Sequence, residues 1–224
     1  MTAALETPVT AAAVAIEAHE LSHRYGRRTA LEPLSFALAA PGVAAVTGPN
    51  GSGKSTLLRV LSGLLRPSQG SSTMTVGGRA MAPADRRRWV GFASPDVAFY
   101  EELSAIENLV FTAETRGGPA PAEAAAAALA RVGLGSRAND RVSALSSGMT
   151  QRLRLAFAVL HRPPVLLLDE PGSHLDDEGR GMLAGLIDRE RRTGLVLIAT
   201  NDEKEWRLAE QRIELRGRGL GHPA

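Results

Sequence analysis

The sequence predicts an α/β fold built on a mainly parallel sheet, and three observations lead to it. Short apolar runs recur at 43–47, where three positions are β-branched, and at 165–168 and 195–200, with helical patterns and short links between them. Such alternation places parallel strands in the middle and helices on both faces. The first run leads directly into a glycine loop and then into Leu57, Leu58, Leu61, Leu64 and Leu65, spaced along one face of a helix that stops between Gly63 and Pro67. The second run ends in two carboxylates and a proline, Asp169-Glu170-Pro171.

The glycine loop reads Gly48, Pro49, Asn50, Gly51, Ser52, Gly53, Lys54, Ser55, Thr56, a complete G-x-x-x-x-G-K-[S/T] pattern. A strand, a glycine loop and a helix in that order turn backbone N–H groups towards an anion and add the positive end of a helix dipole. Lys54 supplies a point charge for β- and γ-phosphates, and Ser55 a hydroxyl for Mg²⁺. In an open parallel sheet the carboxyl ends of the strands form the ligand crevice. Asp169 is therefore placed to reach the same Mg²⁺, directly or through water, and Glu170 to orient and deprotonate an attacking water.

The remaining elements follow in chain order. Residues 13–21 alternate in part and 33–38 form a short apolar run, which reads as two strands ahead of the loop. Between them, His23-Arg24-Tyr25-Gly26 reads as a turn that displays an aromatic ring. Met74-Thr75-Val76 precedes Gly77-Gly78, where a hairpin turns, and Trp89-Val90-Gly91-Phe92 is a short strand leading to Ser94-Pro95-Asp96. From there to about 144 the pattern is helical. Ser104 and Glu107 form a capping box. The alanine-rich stretch 121–131 starts with proline and stops at Gly133. Ser146 and Ser147 read as N-caps of a helix over 150–160, whose start is a second anion site.

Composition narrows the class. The 224 residues suit one domain with a subdomain, cysteine is absent, and net charge is only +2. Disulfides and thiolate metal sites are excluded, and no nucleic-acid partner is expected. No apolar run approaches the roughly 20 residues needed to span a bilayer. Residues 1–12 lack a basic flank and do not resemble a secretory signal, so the chain reads as cytoplasmic.

Taken together, the glycine loop, Leu145-Ser146-Ser147-Gly148-Met149, Asp169-Glu170-Pro171 and Ser173-His174-Leu175-Asp176 resemble the ATP-binding-cassette (ABC) ATPases, in that family's order and spacing. The resemblance implies a P-loop NTPase core with an N-terminal antiparallel β subdomain and an inserted helical subdomain. Its division would be tail 1–12, core 13–95, helical subdomain with signature 96–150, core 151–217 and tail 218–224. It implies an ATP-hydrolysing subunit that uses ATP and Mg²⁺, dimerises head to tail with an identical or related cassette, and drives an integral-membrane transporter subunit from the inner face of the membrane. Tyr25 matches the position that stacks on adenine. Ser146 and Gly148 match the signature that closes over a partner's ATP, and Asp176 the aspartate that reaches across the dimer. The segment from Tyr100 to Leu109 matches the one that faces the membrane subunit.

Ser147 and Met149 depart from the family's usual Leu-Ser-Gly-Gly-Gln signature, and two further expected residues are missing. Pro95 stands where the family carries a glutamine, and proline offers neither a side-chain donor nor an N–H; Ser94 or Asp96 would have to supply an oxygen instead. Asn201 stands where the family has a histidine on the γ-phosphate, and asparagine can donate there but never become cationic. The expectation is slow but real hydrolysis, with Asn201 as a neutral γ-phosphate sensor. A non-transport or slow-turnover regulatory ATPase is the alternative. The compact length, Ser-Ser-Gly-Met and the altered glutamine loop are similar to the heme-exporter branch that serves cytochrome c maturation.

Overall fold

Two sheets enclose the helix that follows the glycine loop in the computed structural model, which describes residues 13–115 and 122–216. Strands β1 (Val14–Tyr25) and β2 (Arg28–Ala39) form a hairpin and β3 (Gly42–Thr47) runs into the loop, from which α1 (Lys54–Leu61) emerges. β4 (Gln69–Val76) and β5 (Arg79–Ala80) follow, and a 3₁₀ turn over Pro83–Arg88 leads to β6 (Val90–Ala93). The helical block holds α2 (Ala105–Thr115) and α3 (Ala122–Arg131), and α4 (Ser147–Val159) leaves it. The chain closes with β7 (Val165–Asp169), α5 (Asp177–Glu190), β8 (Leu195–Ala199), α6 (Glu203–Trp206) and β9 (Gln211–Glu214).

The antiparallel sheet has the order β2-β1-β4-β5 and the parallel sheet the order β6-β7-β8-β3-β9. Side-chain parity explains why the central strands are apolar throughout. Leu166, Leu168, Val196 and Ile198 pack under the helical block, while Val165, Leu167, Leu195 and Leu197 pack against α1 and the antiparallel sheet. A strand buried on both faces has no polar side to show.

Several expectations shift on folding. The turn expected at His23 to Gly26 is strand as far as Tyr25, because β2 pairs His23, Arg24 and Tyr25 with Leu31, Thr29 and Arg28; the reversal falls on Gly26 and Arg27, with φ 59° at the glycine. The run at 33–38 is part of a strand twice as long, and Pro33 is tolerated because β2 is an edge. Helix α4 starts at Ser147 rather than at 150, since Ser146 alone is extended and accepts the Met149 N–H at 3.2 Å. The capping box forms as expected, with the Ser104 N–H on Glu107 Oε2 at 2.7 Å and the Glu107 N–H on Ser104 Oγ at 3.3 Å. Pro121 and the two tails lie outside the described residues. Strand β9 carries no apolar run to announce it.

Candidate functional site

The strand order β7-β8-β3 brings three separate pieces of sequence to one edge. Asp169, Ala199 and Val46 stand in one row across the sheet. The Thr200 N–H donates to Val46 O at 3.1 Å and the Glu170 N–H to Ala199 O at 2.8 Å, so the residues that follow each strand emerge side by side.

The glycine loop occupies the end of β3. Gly48 has φ 146° and Gly53 φ 102°, and a Cβ on Gly53 would run into the Ala30 carbonyl. Only glycine fits there. No side chain caps the start of α1, which leaves first-turn N–H groups for an anion. Lys54 is 6% exposed, and its Nζ donates to Gly48 O at 2.7 Å and Pro49 O at 3.3 Å. Burial pulls its pKa down, resisted by the carboxylates of Glu170 and Asp169.

On the acid side, Asp169 is 3% exposed and its Oδ1 has no hydrogen-bond partner, as is also true of Ser52 Oγ. Burial pushes the Asp169 carboxyl up, while the Ser55 hydroxyl beside it works the other way. A buried carboxylate oxygen without a donor is a costly arrangement that a cation would relieve. Glu170 is exposed and adopts the left-handed region, φ 48°, which costs on the order of 1–3 kcal/mol in a residue with a side chain.

A cleft of about 300 Å³ opens between these groups, lined by Tyr25, Arg28, Ala30, Asn50, Gly51, Gly53, Lys54, Ser55, Thr56 and Glu170. Gly48, Pro49 and Ser52 belong to the loop but not to this wall. Asn201 meets the loop through its Nδ2, which donates to Asn50 Oδ1 at 2.8 Å. Ser146, Gly148 and Asp176 do not line the cleft. Ser146 is exposed at the start of α4, and Gly148 packs against the His174 carbonyl. Asp176 caps α5 through the Gly179 N–H at 2.8 Å, which holds its carboxyl below the usual range, and it pairs with Arg152 at 3.3 Å. Of the two stand-ins for the glutamine, Asp96 is ion-paired with Arg59 of α1 and Ser94 is buried, and neither lines the cleft.

Sequence reasoning missed Arg28, which reaches the cleft because the hairpin pairs it directly with Tyr25. It also missed Arg59. Burial works against that guanidinium, and the Tyr25 hydroxyl and Asp96 more than offset it. Gln151 was missed too, because its burial shows only in the folded chain.

A glycine loop at a helix start, with a buried lysine and an acid pair two strands away, defines a nucleotide-binding domain of the phosphate-loop class. Comparison with known proteins makes this specific. The ABC transporter family model matches residues 31–173. The cytochrome c biogenesis ATP-binding export protein CcmA of Cupriavidus pinatubonensis is 38% identical over 190 residues, which is 83% of this chain and 83% of that protein. The linearmycin resistance ATP-binding protein LnrL of Bacillus subtilis is 32% identical over 195 residues, 85% of this chain but 62% of LnrL, so the chain spans less than two thirds of that relative. Among solved structures, the dimeric ABC transporter cassette MJ0796 superposes with TM-score 0.78 at 23% identity, covering 90% of this chain and 94% of that one. The chain belongs to the ABC transporter family, as an ATP-binding ATPase domain.

Proposed function

We propose that the chain is the ATPase subunit of a transporter, working as half of a shared site. ATP would lie between the glycine loop of one cassette and the Ser146 to Gly148 segment of a second, identical or related, cassette. Closure of that pair would be passed by the helical block, residues 96–150, to an integral-membrane subunit, holding this chain at the inner membrane face; no described helix is long and apolar enough to cross a membrane. The observation that carries the reading is the convergence of Tyr25, Lys54, Ser55 and Glu170 on one cleft beside the unpartnered Asp169 oxygen.

Each residue has a defined task. Tyr25 offers its face to the base, and stacking there favours no particular base. Lys54 would exchange a loop carbonyl for a phosphate oxygen, and the free N–H groups of α1 would hold others. Glu170 accepts a proton from water as the water oxygen attacks the γ-phosphorus, the bond to the β–γ bridging oxygen breaks, and ADP and phosphate result. Asn201 donates a neutral hydrogen bond to the γ-phosphate. Asp176 would reach the second cassette.

The residues present also suit Mg²⁺. Among the described residues no three His, Asp or Glu side chains converge, so Ser55 and Asp169 would hold the ion with the rest of its ligands coming from the phosphates. When bound it would neutralise phosphate charge as the bond breaks. With Pro95 and Asn201 in place, turnover is expected to be slow. Within the family, the branch of CcmA is the favoured assignment.

Phosphate release from the purified chain with Mg²⁺-ATP, with and without its membrane subunit, tests the reading. The wild type should turn over, and Glu170→Gln should bind ATP and release no phosphate. Equal release from both proteins overturns the assignment of Glu170. ATP binding without release from either favours the regulatory alternative.

A further inference from the structure

The loop that carries Glu170 is held from behind by side chains outside the cleft. Gln151, on α4, is 2% exposed, and its Nε2 donates to Pro171 O at 2.9 Å and to Glu170 O at 3.4 Å. The opposite side of the same backbone is held by the Glu170 N–H on Ala199 O. Between these two anchors sits the left-handed conformation of Glu170, a backbone state that persists only where neighbours enforce it.

The orientation of the Gln151 amide is itself set. Arg154, one turn further along α4, donates through Nη1 to Gln151 Oε1 at 3.2 Å, so the amide nitrogen must face the Pro171 carbonyl. The same guanidinium donates through Nε to Val97 O at 3.1 Å, in the segment where Pro95 replaces the expected glutamine. Asp96, beside it, is ion-paired with Arg59 of the phosphate-loop helix. A continuous chain of contacts thus runs from α1 through Asp96 and Val97 to Arg154, Gln151 and the carbonyls around Glu170.

We propose that Gln151 and Arg154 are positioning residues for hydrolysis, a relay that ties the loop around Pro95 to the backbone of Glu170. Neither touches the cleft, so both act through Glu170. The inference rests on the ATPase reading above. It locates control of turnover in α4, the helix that begins at Ser146, so closure of a second cassette on that helix start would press on the same relay.

The test uses Gln151→Met, which keeps length and removes the donor, together with Arg154→Met and the double variant. Steady-state phosphate release should show kcat down about tenfold in Gln151→Met, the equivalent of one well-placed hydrogen bond, with the KM for ATP within about twofold of wild type because the phosphate loop is untouched. Arg154→Met should lose less, and the double variant should be no worse than Gln151→Met, as expected of two members of one chain. Hydrogen exchange at 170–176, measured without nucleotide, should be faster in Gln151→Met. Unchanged exchange, additive losses, or a KM that rises as far as kcat falls overturns the inference. A wild type that binds ATP without turnover overturns the ATPase reading instead, and the exchange comparison then decides the positioning role alone.

Discussion

Replacing Asn201 by histidine is the perturbation that bears most directly on the speed of this enzyme. Asn201 sits where the chain leaves β8 and already reaches the phosphate loop through Asn50 Oδ1, 2.8 Å away. A neutral donor of this kind contributes a net 0.5–1.5 kcal/mol or so, whereas a donor that becomes cationic contributes about 1.5–3 kcal/mol towards an anion. The difference, about 1 kcal/mol, is roughly fivefold in rate at room temperature. The gain must depend on pH. A free imidazole titrates near 6.5 or so, so Asn201→His should outpace wild type most at pH 6 and least at pH 8, while Asn201→Ala should be about fivefold slower at every pH. Phosphate release with saturating Mg²⁺-ATP from pH 6 to 8 reads both effects. Coincident profiles for Asn201, His and Ala would refute the argument, because they would show that this side chain never meets the γ-phosphate.

Two further outcomes follow from the geometry. Gly53→Ala puts a Cβ against the Ala30 carbonyl at a φ of 102°, so the loop must move; a penalty of at least 1–3 kcal/mol or so is expected, read as a lower melting temperature and lost ATP binding. Glu205 is 7% exposed, and burial pushes its carboxyl up, against the Thr200 hydroxyl. A raised folded pKa means that folding penalises the charged form, so the penalty is full at pH 8 and fades as pH falls through the folded value towards the ordinary carboxyl range. Urea denaturation should therefore show Glu205→Gln gaining on wild type at pH 8 and losing that advantage near pH 4, and parallel stability curves would contradict this.

Local chemistry made much of this molecule readable. The glycine loop, its strand and its helix are encoded by adjacent residues, and Gly53 and Lys54 can do little else at those positions. The capping box at Ser104 and Glu107 and the apolar runs of β7 and β8 are likewise local, since burial on both faces leaves no room for polar side chains. Strand β9 stayed hidden because an exposed edge strand needs no apolar run; its partner β3 supplies the hydrogen bonds. Arg28 stayed hidden because its place depends on the tight turn at Gly26 and Arg27, which pairs it with Tyr25 inside a strand that the sequence does not announce before Pro33.

What the sequence alone determined was the chemistry: a phosphate-binding loop, a lysine and a pair of carboxylates, each set by side-chain type and by spacing within a few residues. Only the tertiary structure decided their meeting. The β7-β8-β3 order sets Asp169, Ala199 and Val46 in one row, and α4 brings Gln151 behind Glu170 from nineteen positions earlier in the chain. Strand pairing and helix packing join residues with no separation rule between them, so the grip on Glu170 is a property of the fold and not of any motif.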